Sequence, residues 1–155
     1  MRKVLTLAYL LKDDKICLGM KKRGFGEGNW NGYGGKVEEG ESIEAGVIRE
    51  IGEESNVSVQ KGDLNKVAIV EFVFKDGKHL EVHTYFVRAW EGEPEETEEM
   101  KPEWFSYDAI PYEKMWADDI HWLPRALKGE NLFGKVWFKE DGKSIERMEW
   151  TPTTF

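Results

Sequence analysis

Cysteine and histidine are scarce in this sequence, which has one cysteine, Cys17, and three histidines, His79, His83 and His121. A single cysteine excludes an intramolecular disulfide framework and favours a reducing compartment. The histidines are too few and too widely spaced to complete a zinc site with Cys17. The sequence therefore predicts neither a disulfide-stabilised fold nor a zinc protein.

Basic residues are outnumbered, with 22 Lys and Arg against 30 Asp and Glu and a formal net charge of -8. A nucleic-acid polymer is therefore not an expected partner, because neutralising its phosphates requires a basic surface. A phosphorylated small molecule remains compatible with this charge, provided that a cation lies between the two negative partners.

Long apolar runs are also missing, so no membrane-spanning segment and no membrane partner is expected. The apolar run over residues 4–11 is followed at once by Lys12, Asp13 and Asp14, without a small-residue cleavage site. This order indicates a core strand and not a signal peptide. We expect a cytoplasmic protein, and a mitochondrial or nuclear fraction stays open.

The residues that are present fit one folded domain over 1–155. The hydrophobic fraction is 40%, and the seven tryptophans make disorder untenable. Residue patterns predict strands over 4–11, 15–20, 66–74, 80–90, 132–138 and 144–150, and helices over 43–55 and near 118–128. Pro124 is expected to kink the second helix or delay its start. The predicted fold class is α/β (α+β), and the expected state is a monomer.

The predicted helix over 43–55 is amphipathic. Its apolar residues fall on one stripe, the expected core face: Ile43, Val47 and Ile51. Glu50, Glu53 and Glu54 share the neighbouring face at spacing i, i+3 and i+4. Hard divalent cations take oxygen ligands, so this face suits a metal platform. A solvated acidic face, in which Arg49 pairs with Glu53, explains the spacing equally well.

The order of residues around this helix resembles the Nudix box. Five residues separate Gly35 from Glu41, seven more precede Arg49-Glu50, and Ile51, Glu53-Glu54 and Val57 follow at the expected places. One position departs from the box, because Asn56 stands where glycine is expected, and Asn is the next-best residue for a left-handed conformation. The resemblance implies a Nudix-type α/β/α sandwich with a mixed β-sheet between helices. It also implies Mg²⁺-dependent hydrolysis of a nucleoside diphosphate derivative, with Mn²⁺ as an alternative ion.

The same resemblance implies roles for individual residues. The implied metal ligands are Glu50, Glu53, Glu54 and the Gly34 carbonyl, with Glu99 from an acidic loop as a further candidate. Arg49 would orient a glutamate, and Glu41 would be its partner. Either Glu54 or Glu99 would take a proton from the attacking water, and both alternatives stay open.

Segments 18–41, 98–100 and 115–124 are similar to the animal oxidised-purine nucleoside triphosphatases, a branch of that family. The similarity implies conversion of 8-oxo-dGTP and 2-oxo-dATP to monophosphate and pyrophosphate, which sanitises the nucleotide pool. The implied base-pocket residues are Asn31, Trp116, Asp118, Asp119, Phe72, Phe74, Thr6, Lys21, Phe25 and Met100. Lys22 and Arg23 are equally well explained as a phosphate-side patch or as surface charge.

The chemistry of these side chains suits a purine, but simpler explanations remain. Trp116 offers a face for stacking, and Asn31 offers both a donor and an acceptor. Asp118 and Asp119 are adjacent, so one of them would hold a proton and the pair could both donate and accept. Alternatively, Trp116 is a core aromatic and one aspartate is a helix N-cap. Rival functions are another Nudix activity, such as ADP-ribose or dinucleoside polyphosphate hydrolysis, and a nucleotide-binding module without turnover.

Overall fold

The computed structural model of the chain describes residues 2–24 and 26–155. Within that part of the chain, eight strands form one sheet. The strands are β1 (Arg2–Lys12), β2 (Lys15–Lys21), β3 (Trp30–Asn31), β4 (Leu64–Val73), β5 (His79–Val87), β6 (Met100–Ser106), β7 (Leu132–Phe138) and β8 (Ile145–Pro152). The α-helices are α1 (Ile43–Ser55) and α2 (Asp119–Leu127), and short 3₁₀ helices cover Lys61–Asp63, Tyr107–Ala109 and Tyr112–Lys114.

The sheet is mixed, as predicted. Its strand order is β3-β2-β1-β5-β4-β7-β8, with β6 paired to β2. The β1–β5 and β4–β7 pairs are parallel, and the other pairs are antiparallel. Strand β1 therefore lies in the interior of the sheet, between β2, which follows it directly in the sequence, and β5, which is distant in the sequence.

The two faces of the sheet are covered by different helices because side chains alternate along each strand. On one face, Val47 and Ile51 of α1 belong to a core cluster with Ala8 and Leu10 of β1. On the other face, α2 contributes Trp122 to a second cluster. This arrangement confirms the predicted sandwich of a mixed sheet between helices.

Helix α1 has the bounds and caps that the sequence predicts. The Ser42 side chain accepts a hydrogen bond of 3.1 Å from the Ala45 N–H, which satisfies one of the free donors at the helix start. Asn56 ends the helix with φ 62° and ψ 24°, the left-handed conformation for which glycine is usual. The Asn56 side chain also donates to Glu95 at 3.0 Å. The departure from glycine therefore leaves the helix end intact.

Helix α2 lies where the sequence predicts it. It starts at Asp119 and runs to Leu127 with Pro124 inside it, so of the two effects expected of the proline, a delayed start does not occur. The buried side chains of Trp122, Leu123 and Ala126 attach this short helix to the sheet, and tertiary packing outweighs the missing backbone donor. No α-helix among residues 2–24 and 26–155 is both long and apolar enough to cross a bilayer.

Candidate active site

The segment that follows β3 lies along strand β1. The Ala8 and Tyr33 backbones exchange hydrogen bonds of 2.6 and 2.8 Å, and the Thr6 N–H donates to the Gly35 carbonyl at 2.8 Å. A Cβ atom on Gly34 would lie 1.9 Å from the Thr6 carbonyl oxygen, so no side chain fits at that position. The first glycine of the pair is therefore required by the close approach of two backbones.

The same glycines face carboxylates of α1. The Gly34 N–H donates to Glu54 Oε1 at 2.8 Å. A Cβ on Gly35 would lie 2.7 Å from Glu50 Oε1, so Gly35 leaves the space that the Glu50 carboxylate occupies. Glu50 and Glu54 thus lie against the glycine backbone, whereas Glu53 is 55% exposed. The three glutamates predicted as metal ligands do share one side of α1, but to different depths.

Arg49 connects four acidic or carbonyl groups around this platform. Its Nε and Nη2 donate to the two oxygens of Glu41 at 2.8 and 3.1 Å, a two-point contact that fixes the guanidinium plane. Its Nη1 donates to Glu50 at 3.0 Å and to Glu53 at 3.2 Å, and its Nη2 reaches the Lys36 carbonyl at 3.1 Å. These bonds lower the pKa of Glu41 and raise that of Arg49. The structure therefore pairs Arg49 with Glu41, as the resemblance implies, and with Glu53, as the simpler explanation of the spacing requires.

The carboxylates of α1 lie in an acidic and partly buried environment. Burial raises the pKa of Glu54 to about 8, and the charges of Glu50 and Glu99 act in the same direction. Burial also raises the pKa of Glu50. The Gly34 N–H and the charge of Lys21 oppose the shift at Glu54. A cation placed among these oxygens would relieve their mutual repulsion.

The acidic loop over residues 91–99 is tied to this platform. Lys22 Nζ donates to Glu96 at 2.7 Å and to the Thr97 carbonyl at 2.8 Å. Thr97 Oγ1 donates to the Glu54 carbonyl at 3.1 Å and accepts from the Glu99 N–H at 3.3 Å. Arg23 lies 3.6 Å from Glu98. Lys22 and Arg23 therefore hold the loop that carries Glu99, a role that neither of the two sequence-based explanations included.

A cavity of about 240 Å³ extends from the platform to the start of α2. Its lining includes Gly34 and Glu54 at one end and Asp118 and Asp119 at the other. Every described residue of the predicted base pocket lines it, namely Thr6, Lys21, Asn31, Phe72, Phe74, Met100, Trp116, Asp118 and Asp119. Phe25, the remaining pocket prediction, lies outside the described residues. The fold thus brings residues from six separate stretches of sequence to one cavity that adjoins the glutamates.

The two aspartates are buried and share one indole donor. Trp122 Nε1 donates to Asp118 Oδ2 at 3.0 Å and to Asp119 Oδ1 at 3.3 Å. Burial raises the pKa of Asp118 to about 6, and burial together with the Asp118 charge raises the pKa of Asp119 further. Both shifts favour a protonated carboxyl within the pair. Asp118 is the N-cap residue of α2, as the simpler explanation predicts, although its side chain makes no capping hydrogen bond.

A NUDIX domain model matches residues 1–126 of the chain. The chain belongs to the Nudix family. It is 44% identical over 144 residues to the oxidized purine nucleoside triphosphate hydrolase of Danio rerio, covering 92% of this chain and 90% of that protein. The protein of the same name from Mus musculus is 45% identical over 136 residues, covering 87% of this chain and 86% of its own. A MutT protein from Bacillus halodurans superposes with a TM-score of 0.80 at 26% identity, covering 96% of this chain and 97% of that one.

The cavity of this Nudix protein also contains residues that sequence reasoning missed. Among them are Tyr9 on β1, Thr84 on β5 and Trp122 on α2. Side chains alternate along β1, so the sequence alone places Tyr9 on the same face of the strand as Leu7. The sequence does not show that β5 pairs with β1 and β4 with β5, because the pairing of strands is a long-range property.

The buried acid pair predicts that stability depends on pH. Because the folded chain binds the Asp118 proton more tightly than the unfolded chain does, this stabilisation is complete below about pH 4 and is lost as pH rises through about 6. The double variant Asp118→Asn/Asp119→Asn lacks this contribution. Between about pH 4 and pH 8 we expect the free energy of unfolding to fall more in the wild type than in the variant, measured by urea denaturation. Identical pH dependence in the two proteins would contradict the assignment.

Proposed function

We propose that this Nudix protein hydrolyses oxidised purine nucleoside triphosphates to a monophosphate and pyrophosphate. One observation carries the proposal: a single cavity joins a site of base size, with a buried acid pair, to the Glu54 and Gly34 end of the glutamate platform. A nucleotide placed with its base at Asp118 and Asp119 has its phosphates directed towards the glutamates. The names of the Danio rerio and Mus musculus relatives support the same activity.

Recognition of the base falls to the lining of the cavity. Phe72, Phe74 and the half-buried Trp116 supply aromatic surface for stacking. The acid pair would supply one acceptor and one donor when its two carboxyls share one proton, a state that the burial of both groups favours. Exchange of that proton between the two carboxyls would let one pocket accept both 8-oxo-guanine and 2-oxo-adenine, whose polar edges differ.

The platform fits a hard divalent cation, which Nudix hydrolases use as a family. The donors are all oxygens, and Glu50 and Glu54 are crowded and partly or fully buried beside Glu99. Among the described residues no three acidic, cysteine or histidine side chains are already grouped for a metal, because Glu50 is turned to Arg49 and Glu54 to Gly34. The residues proposed to hold Mg²⁺, or Mn²⁺ in its place, are Gly34 through its carbonyl, Glu50, Glu53, Glu54 and Glu99.

Bound there, the ion would neutralise phosphate charge and orient the attacking water. The contribution of the chain itself is to hold the ligands. Glu41 fixes the Arg49 guanidinium by two hydrogen bonds, and Arg49 in turn holds Glu50 and Glu53. Lys21 lines the cavity near Glu54 and adds the positive charge that a polyphosphate requires. Proton transfer from water would fall to Glu54, which lines the cavity, or to Glu99, whose charge acts on Glu54.

We further propose that the chain acts as one domain over 1–155, as a monomer, in the cytoplasm. A small nucleotide fits both the cavity and the net charge of -8, whereas a nucleic-acid polymer does not suit such a charge. The activity would remove oxidised precursors from the nucleotide pool before they are incorporated.

Turnover with defined substrates tests this function. The protein is incubated with Mg²⁺ and, separately, with 8-oxo-dGTP, 2-oxo-dATP, dGTP and ADP-ribose, and monophosphate and pyrophosphate are measured. We expect at least one oxidised triphosphate to be converted faster than dGTP, with the two products in equal amounts. Turnover of ADP-ribose alone would contradict the assignment of the base pocket. Thermal stabilisation by nucleotide without any product would indicate a nucleotide-binding module.

Removal of the stacking face tests where the base binds. Trp116→Ala is expected to lower kcat/KM for the oxidised triphosphate about 5- to 150-fold, because stacking of a base on an aromatic side chain contributes about 1–3 kcal/mol. Trp137→Ala is the matched control, since Trp137 lies on β7 and packs against Lys135 and Arg147 outside the cavity. Equal kcat/KM values for the Trp116 variant and the wild type would place the base elsewhere.

A further inference from the structure

Two buried polar atoms in this part of the molecule have no hydrogen-bond partner among the described residues. They are Thr84 Oγ1 and Asp118 Oδ1, and both residues line the cavity. Other polar side chains in the lining have partners: Thr6 Oγ1 donates to the Gly35 carbonyl, Asn31 donates to the Asn29 carbonyl, and Trp122 donates to Asp118 Oδ2. Buried polar groups in folded proteins are almost always paired, so each exception requires an explanation.

Asp118 Oδ1 is explained by the proposed function, because the acid pair faces the base. Thr84 is not explained by it. Thr84 lies on β5, where it pairs in register with Leu7 of β1 on one side and Ala68 of β4 on the other. Its side chain is fully buried on the sheet face that forms the cavity floor. The cavity residues on the neighbouring strands, Leu7 and Val70, offer no polar side-chain atom.

A buried hydroxyl without a hydrogen-bond partner is expected to lower the free energy of unfolding of the protein without ligand. Valine has nearly the same shape as threonine and would fill the same space without leaving a donor and an acceptor unpaired. A threonine whose only role was packing would therefore be a poor choice at this position. The hydroxyl of Thr6, by contrast, donates a hydrogen bond to the Gly35 carbonyl at 3.4 Å.

We propose that Thr84 is a base-recognition residue, whose hydroxyl pairs with a polar atom of the oxidised purine bound in the cavity. The proposal rests on the proposed function for the identity of the ligand. Thr84 belongs to the sheet, and Asp118 and Asp119 belong to the start of α2, so they approach the base from different sides. An oxidised purine carries an added oxo group and hence polar atoms on more than one side of the ring. The hydroxyl both donates and accepts, which suits bases whose polar edges differ.

Binding of the reaction product isolates this contact from the phosphate chemistry. The wild type, Thr84→Val and Thr84→Ser are titrated calorimetrically with 8-oxo-dGMP and 2-oxo-dAMP, without metal, and the Tm of each free protein is recorded. Valine keeps the volume and removes the hydroxyl, whereas serine keeps the hydroxyl and removes a methyl group. Thr151→Val, which removes a hydroxyl from an exposed position of β8, is the control.

We expect Thr84→Val to bind at least one of the two nucleotides about 5- to 150-fold more weakly, the range for a buried polar atom left unpaired. The Tm of its free form should equal or exceed that of the wild type. Thr84→Ser should bind within about twofold of the wild type even if its Tm falls, because the hydroxyl is retained. A purely structural role predicts the opposite order, with serine the more damaging change.

The outcomes separate the two proposals. If Thr84→Val binds both nucleotides as tightly as the wild type does, Thr84 has no role in base recognition and the proposed function still stands. Failure of the wild type to bind either oxidised nucleotide overturns the proposed function, and the role of Thr84 falls with it.

Discussion

The close pairing of the Gly34-Gly35 backbone with strand β1 is the constraint on which the site depends. This pairing leaves no room for a side chain at Gly34. It also brings the glycine backbone into contact with side chains of α1. The Gly34 N–H then meets Glu54, and Gly35 leaves space for Glu50. Because β1 also supplies Thr6 and Tyr9 to the cavity, one strand positions both the platform and the base pocket.

Charge is distributed unevenly between the two ends of this cavity. At the platform, Arg49 holds Glu41, Glu50 and Glu53 by direct hydrogen bonds, whereas burial, together with the charges of Glu50 and Glu99, raises the pKa of Glu54 to about 8. At the other end, burial raises the pKa of both Asp118 and Asp119. A cation would relieve the repulsion at the platform, whereas a proton held by the aspartates would serve as a hydrogen-bond donor.

Much of the fold and of the site could be predicted because the deciding interactions are local. Helix α1 follows from its apolar stripe, and its ends follow from Ser42 and Asn56, whose conformations depend on neighbouring residues. The partners of Lys22 and the roles of Tyr9 and Thr84 could not be predicted, since they arise from strands and loops that are far apart in sequence. That Pro124 would not delay the start of α2 could not be predicted for a similar reason, because the packing of Trp122 and Leu123 stabilises the helix around it.

We infer that the platform and the base pocket are two ends of one site joined at Gly34. The decisive measurement is the paramagnetic broadening of backbone amide signals by Mn²⁺, with and without an oxidised purine nucleoside monophosphate. We expect Mn²⁺ to broaden the amides of Gly34, Gly35 and the second half of α1, and the nucleotide to shift the amides at the start of α2. Broadening centred on Asp118 and Asp119, with Gly34 unaffected, would contradict it.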